Sequence, residues 1–161
     1  MYLSALTCIL CAMGNKTYAT NKKAKFDYEL QDSFIAGLVL AGHEAKSIRA
    51  GNASLKGAYV TISENGEAWL TNAHIKQYQH ATTLSSYDPE QSRKLLLNKS
   101  EIERLIRARN EKIVIVPLSI HAAGPNIKLS IAIARPKKRF DKRHSIKKRD
   151  VERESQRHFK S

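Results

Sequence analysis

Apolar and polar positions change rhythm several times along this chain, and each rhythm predicts an element. Phe26 to Leu30 (FDYEL) alternates apolar and polar, the period of a half-buried strand. FIAGLVLAG, Phe34 to Gly42, is continuously apolar and short, as suits a strand buried on both faces. HEAKSIRAG supplies good helix formers with Gly51 as the stop, which predicts a helix of about two turns. AYVTIS and EAWLTNAHI flank Glu64-Asn65-Gly66, and Asn-Gly between β-rich runs predicts a hairpin with positive φ at both turn positions. Asp88-Pro89 offers an N-cap and a first helical residue. Ser100 with Glu103 reads as a capping box ahead of the stripe Ile102, Leu105 and Ile106. KIVIVPLSIH and NIKLSIAIA are two strands joined across Ala-Gly-Pro-Asn, with Pro117 marking an edge or a bulge. Near Pro136 the apolar pattern stops.

Five or more short strands, hairpin signals and two or three short helices predict a mainly β fold. The expected body is a small OB-like antiparallel β-barrel, residues 13–134, with helices plugging its ends. Residues 135–161 form a basic tail. MYLSALTCILCAM at the start is uncharged and apolar, shorter than the roughly 20 residues that span a bilayer. It also lacks the basic residues that open a secretory signal. Met13 begins a polar, basic stretch, so Met13 reads as the natural start and residues 1–12 as an upstream start artefact or leader. Cys8 and Cys11 make a lone C-x-x-C without the further ligands a zinc site needs, so no metal site is expected.

Charge narrows the function. The formal net charge is +13. Residues 135–161 hold 12 Lys/Arg against 4 Asp/Glu, a net of +8, leaving +5 for the other 134 residues. Such a chain calls for a polyanion: nucleic acid first, an anionic membrane surface second. Chemistry that would argue for an enzyme is missing at sequence level. The six histidines show no pairing with a second His or Cys at metal spacing. No Ser or Cys lies in a nucleophile elbow, and no phosphate-binding G-x-x-x-x-G-K-[ST] loop is present. No cofactor is implied.

Three basic segments are candidates for contact with RNA. NKKAKF (Asn21 to Phe26) sets Lys22, Lys23 and Lys25 beside Phe26 and Tyr28, as phosphate contacts with stacking aromatics require. A solvated strand entry with core aromatics explains it equally. SRKLLLNK places Arg93 and Lys94 against core leucines. In HEAKSIR, Glu44 stands in the first helical turn, where a carboxylate favours the positive end of the dipole. Its alternative role is to accept hydrogen bonds from base edges or 2′-hydroxyls.

Taken in order, these segments resemble the SsrA-binding protein family, also called small protein B. The resemblance rests on NKKA (21–24), Asp27-Tyr28, AGLVLAGHEAKSIRAGNASLKGAY (36–59), NGE (65–67), Asn72 with His74-Ile75, DPEQSRKLLL (88–97), EIERL (101–105), KKRFDKR and IKKRD, over about residues 17–157. It implies an OB-like barrel that binds the tRNA-like domain of transfer-messenger RNA (tmRNA) and delivers it to stalled ribosomes in trans-translation. Asn21, Lys22, Lys23, Lys25, Glu44, Lys46 and Arg49 are then the tmRNA-facing set, with Arg93 and Lys94 as weaker members. Asp141, Lys142 and Arg143 match the family's D-K-R tail motif, preceded by Lys137, Lys138, Arg139 and Phe140 and followed by Ile146, Lys147 and Arg149. That tail is expected to be disordered when free and to form a helix against small-subunit RNA at the decoding centre and mRNA channel. Further implications are a cytoplasmic, ribosome-associated monomer without membrane contact and an elongation factor on the same aminoacylated tmRNA. Three positions depart from the family pattern: Phe140 replaces Tyr or His, Phe26 replaces His, and His121-Ala122-Ala123 replaces a more aromatic stretch. A nonspecific basic ribosome- or RNA-associated protein is the alternative.

Overall fold

The structure, a computed structural model, describes residues 16–63, 65–79, 87–111 and 113–137, with backbone alone at Lys25. Among the described residues nine strands and three helices follow in the order β1 (Thr17–Thr20), α1 (Ala24–Asp27), β2 (Tyr28–Leu38), α2 (Gly42–Arg49), β3 (Ala53–Ser54), β4 (Tyr59–Ile62), β5 (Ala68–Thr71), β6 (His74–Ile75), β7 (Arg93–Leu96), α3 (Lys99–Asn110), β8 (Val114–Ala123) and β9 (Asn126–Pro136). Seven strands form one antiparallel sheet, ordered β1-β8-β9-β2-β7-β5-β4, and β3 pairs with β6 in a two-stranded ribbon. The mainly β, antiparallel expectation is met, but the ladder does not close: β1 and β4 remain edges, so the body is a curled sheet and not a closed barrel.

The inner face takes alternate residues of the long strands, Phe34 and Ala36 of β2 and Leu129, Ile131 and Ile133 of β9, with Ile115 and Ile120 of β8 on either side of its irregularity at Pro117–Ser119. Leu70, Val60 and Leu95 extend it across β5, β4 and β7. Ile48 of α2 and Leu105 and Ala108 of α3 cap this core. Burying each large aliphatic side chain contributes about 1.5–3 kcal/mol, which is why short helices with one apolar edge suffice as plugs. On the other face, α1 lays Ala24 against Val116 and Ala134, with Tyr28, Leu30 and Leu118 around them.

Both hairpins occur. β8 and β9 turn at Gly124 (φ 59), and Ala123 faces Asn126. β4 and β5 turn with the Gly66 N–H donating to the Ser63 carbonyl at 3.0 Å and the Ser63 N–H to the Glu67 carbonyl at 2.8 Å. Gly66 has positive φ (77). Pro117 lies at a bulge, where the β8–β9 register shifts between Pro117 and Ser119. It is buried and β8 is flanked on both sides, so the edge alternative is excluded.

Several boundaries differ from expectation. Phe26 and Asp27 belong to α1, and the strand begins at Tyr28. The run from Phe34 is covered on one face only: Phe34 and Ala36 are buried while Ile35 and Val39 are each 49% exposed. EAWLTNAHI is two strands, broken at Asn72, whose φ of 58 no regular strand accommodates. Asp88-Pro89 opens no helix. Asp88 Oδ1 accepts the Glu90 N–H at 2.9 Å, a local turn, and the chain enters β7 at Arg93. The capping pair of α3 sits two residues earlier than expected, the Asn98 N–H donating to Glu101 Oε2 at 2.8 Å. β1 carries no pattern that marked it beforehand.

Candidate nucleic-acid interface

Asn21 is used up inside the protein. Its Nδ2 donates to the Pro117 carbonyl at 3.1 Å, its Oδ1 accepts the Ala24 N–H at 3.2 Å, and its backbone N–H reaches the Leu118 carbonyl at 2.8 Å. Proline has no N–H and bends β8, and the Asn21 amide bonds the carbonyl at that irregularity. Lys23 closes the short α1 by accepting the Phe26 and Asp27 N–H groups at 3.0 and 2.8 Å. The Lys22 and Lys23 side chains are exposed on this fixed turn. They line a groove of about 260 Å³ with Thr20 and Asn21 on one side and Ser54 and Lys56 on the other.

α2 divides by face. Lys46 and Arg49, three residues apart, are exposed; Glu44, Ser47 and Ile48 are buried. Lys46 Nζ lies 5.9 Å from the centroid of the Tyr78 ring. Arg49 Nη2 donates to the Pro125 carbonyl at 2.8 Å, tying the helix to the β8–β9 turn. Ser47 Oγ donates to the Lys76 carbonyl on the inner side.

Glu44 and Arg93 were expected to face RNA, and the structure buries both. They are 2% and 3% exposed and form an ion pair with each other at 2.8 Å. Glu44 Oε2 accepts the Ala41 N–H at 3.0 Å, so the helix-capping alternative describes one of its oxygens. Oε1 accepts Arg93 Nε at 2.9 Å and Gln91 Nε2 at 2.9 Å. Arg93 satisfies its remaining donors on backbone and phenol: Nη1 on the Ala73 and Gln91 carbonyls at 2.8 Å each, Nη2 on Tyr87 Oη at 3.1 Å and the Pro89 carbonyl at 3.0 Å. The Tyr87 hydroxyl lies 3.0 Å from the Ile75 carbonyl and 3.2 Å from Glu44 Oε1. Burial pushes the Glu44 carboxyl upward, but the Ala41, Gln91 and Arg93 hydrogen bonds with the Arg93 charge outweigh it and hold it below its ordinary value. Burial, then the Glu44 charge, raises Tyr87. This network fastens the segment entering β7 to α2; its charges are spent internally.

Lys94, next along β7, pairs with Glu67 and is 40% exposed at the side chain. His121, in the stretch expected to weaken a contact, is buried at 6% with Nδ1 3.5 Å from Ser130 Oγ. Burial lowers it, the Lys128 charge adds to the effect, and a hydrogen bond with the Ser119 backbone opposes them. Lys137 is half-buried after β9, its N–H bonded to the Asp27 carbonyl at 3.0 Å. The tail positions from Lys138 to Arg149, residues 1–12 and the side chain of Lys25 lie outside the described residues.

Thus the structure brings Lys22 and Lys23 to one groove, sets Lys46 and Arg49 on one helix face and puts Glu44 with Arg93 underneath. Lys56, Ser54, Tyr87 and Gln91 were not singled out from sequence. The first two have a local signal, Lys-Gly at the centre of a turn; Tyr87 and Gln91 have none, because their partner lies more than forty positions away.

Comparison with known proteins follows the same outline. The SmpB protein family model matches residues 18–161. An SsrA-binding protein of Mesoplasma florum is 46% identical over 149 residues, covering 92% of this chain and 99% of that protein. One from Mycobacterium leprae is 43% identical over 142 residues, 88% of each. A chain from the solved structure "tmRNA-SmpB: a journey to the center of the bacterial ribosome" is 34% identical with a TM-score of 0.63, covering 79% of this chain and 92% of its own length. By the family match over residues 18–161 and the identity with these relatives, this chain belongs to the SmpB family.

Proposed function

We propose that this protein is a non-enzymatic adaptor that binds tmRNA and brings it to stalled ribosomes. The observation that carries the reading is family membership across residues 18–161, a match that includes the basic tail. Relatives named for binding SsrA RNA, and a relative solved with tmRNA on the bacterial ribosome, supply the partners. The geometry supports an RNA-facing body: Lys22, Lys23, Lys46 and Arg49 are exposed on fixed elements. Asn21, Glu44 and Arg93 act beneath that surface as its supports, and Lys25 and Lys94 complete the proposed set. The tail, from Lys137 through Phe140, Asp141, Lys142 and Arg143 to Ile146, Lys147 and Arg149, is the ribosome-facing part, with small-subunit RNA as its target. A phenylalanine, the residue at position 140, is able to stack on a base but offers no hydrogen bond.

The test is capture of the full chain from a native lysate with sequencing of the bound RNA. One dominant tmRNA supports the adaptor. A spread of ribosomal RNA and tRNA, displaced by excess unrelated tRNA, favours the nonspecific basic protein instead.

A further inference from the structure

Two turns face each other across the groove beside Lys22, and each presents lysine from a fixed backbone. One is the Asn21–Ala24 turn, held by the Asn21 amide to β8. The other is Leu55 to Ala58, closed by the Ala58 N–H on the Leu55 carbonyl at 3.2 Å. Lys56 and Gly57 are its central residues, and Gly57 takes a φ of 80, the third-position requirement of a type II turn. Asn72 Nδ2 donates to the Gly57 carbonyl at 3.1 Å and pins this turn to the break between β5 and β6. Ser54 Oγ accepts the Lys56 N–H at 3.3 Å and keeps its own proton for a ligand. Leu55, 1% exposed, contributes to the groove's apolar lining.

The lining holds three lysines and no acid, and among the described residues no carboxylate forms an ion pair with Lys22, Lys23 or Lys56. At about 260 Å³ the groove is smaller than the ~300–1,000 Å³ pockets that engulf a free ligand. It suits one unit of a polymer passing through. We infer that the groove between the Asn21–Ala24 and Leu55–Ala58 turns is a backbone-phosphate subsite for RNA, with Lys56 as its third cation and Ser54 as a hydroxyl donor. Fixed turns limit the ordering cost of the contact, so a single phosphate bound here contributes more than one met by lysines on mobile loops. The inference rests on the RNA-binding reading and adds to it a site that reads backbone and not sequence.

Full-chain protein titrated with the tRNA-like domain of tmRNA and, separately, with unrelated tRNA, across a salt series, tests it. Loss of one phosphate contact lowers the slope of log affinity against log salt by about 0.7–0.9 and weakens binding roughly 5- to 10-fold near 0.1 M salt. Lys56→Gln is expected to show that loss on both RNAs with an unchanged Tm, and Lys56→Arg to restore it. Lys99→Gln, on the exposed start of α3 and outside the groove, is expected to leave the slope as it was. An unchanged slope in Lys56→Gln on both RNAs, or an equal loss in Lys99→Gln, overturns the subsite. Equal affinity of the unsubstituted protein for the two RNAs overturns tmRNA specificity alone, because the slope comparison still decides the groove.

Discussion

Glu44→Ala leaves the Arg93 guanidinium buried without its carboxylate, and breaking a buried pair from one side costs about 3–5 kcal/mol. The expected result is a Tm lower by about 10 °C or more, while RNA affinity measured well below the transition stays within about threefold. An unchanged Tm with lost binding would return Glu44 to the RNA surface. Acidity gives a second reading of buried groups. The lowered Glu44 value means its stabilisation is complete above the ordinary carboxylate range and is lost as pH falls through the folded value. His121 titrates earlier. Its folded value is also lowered, so the unfolded chain takes up the proton first and stability falls as pH drops below the ordinary histidine value. Tm should therefore decline between roughly pH 7 and 5, and His121→Gln should flatten that part of the profile. A slope that persists in the variant would assign it elsewhere. At this scale the sequence was half legible. The first-turn position of Glu44 marked its cap, because capping is local; its pairing with Arg93, 49 positions away, leaves no local trace.

Elements were legible where one physical signal dominated. Gly-containing turns between β-rich runs marked both hairpins, since few residues other than glycine accept positive φ. The misread segment, 88–97, carried two signals of equal strength. Asp before Pro bonds its own backbone equally well as a helix cap or as a turn, and RKLLL is too short for periodicity to separate helix from strand. Pairing with β5 and β2 decided it, burying Arg93 and Leu95 and leaving Leu96 56% exposed. The Asn21 clamp joins two elements and has a distinct signature. Asn21→Ala removes the amide donor from the Pro117 carbonyl and leaves the Ala24 N–H with the Asn21 backbone carbonyl alone, a loss of about 1–3 kcal/mol. Because the same amide holds the turn carrying Lys22 and Lys23, RNA affinity should also fall several-fold. No charge is removed, so the salt slope should not change. A large affinity loss at full thermal stability would instead make the Asn21 amide a direct RNA contact.

For the whole molecule, the question is where the body ends and the tail begins. The loss of apolar pattern places that boundary near Ala134 to Pro136, and the ladder runs to the far end of that range: Glu29 pairs with Arg135 and Tyr28 with Pro136, and the Lys137 N–H bonds the Asp27 carbonyl. Arg135 and Pro136 are exposed, so hydropathy could not register residues whose contribution is through the backbone. This matters for separating the two proposed surfaces. Deletion of 135–161 removes the strand end that faces Tyr28 and the anchor on Asp27, beside α1 and the lysine turn. It is expected to weaken tmRNA binding by damaging the body as well as removing the tail. Deletion of 138–161 spares every described residue. A chain ending at Lys137 should bind the tRNA-like domain with a Tm near that of the full chain and at most a modest affinity loss from lost tail charge, yet fail to release stalled ribosomes. Binding and ribosome release, measured on the same preparation, check both halves. If affinity collapses by orders of magnitude in the chain ending at Lys137, the tail belongs to the tmRNA surface and the division into two surfaces is wrong. If release proceeds normally, the tail has no ribosomal role.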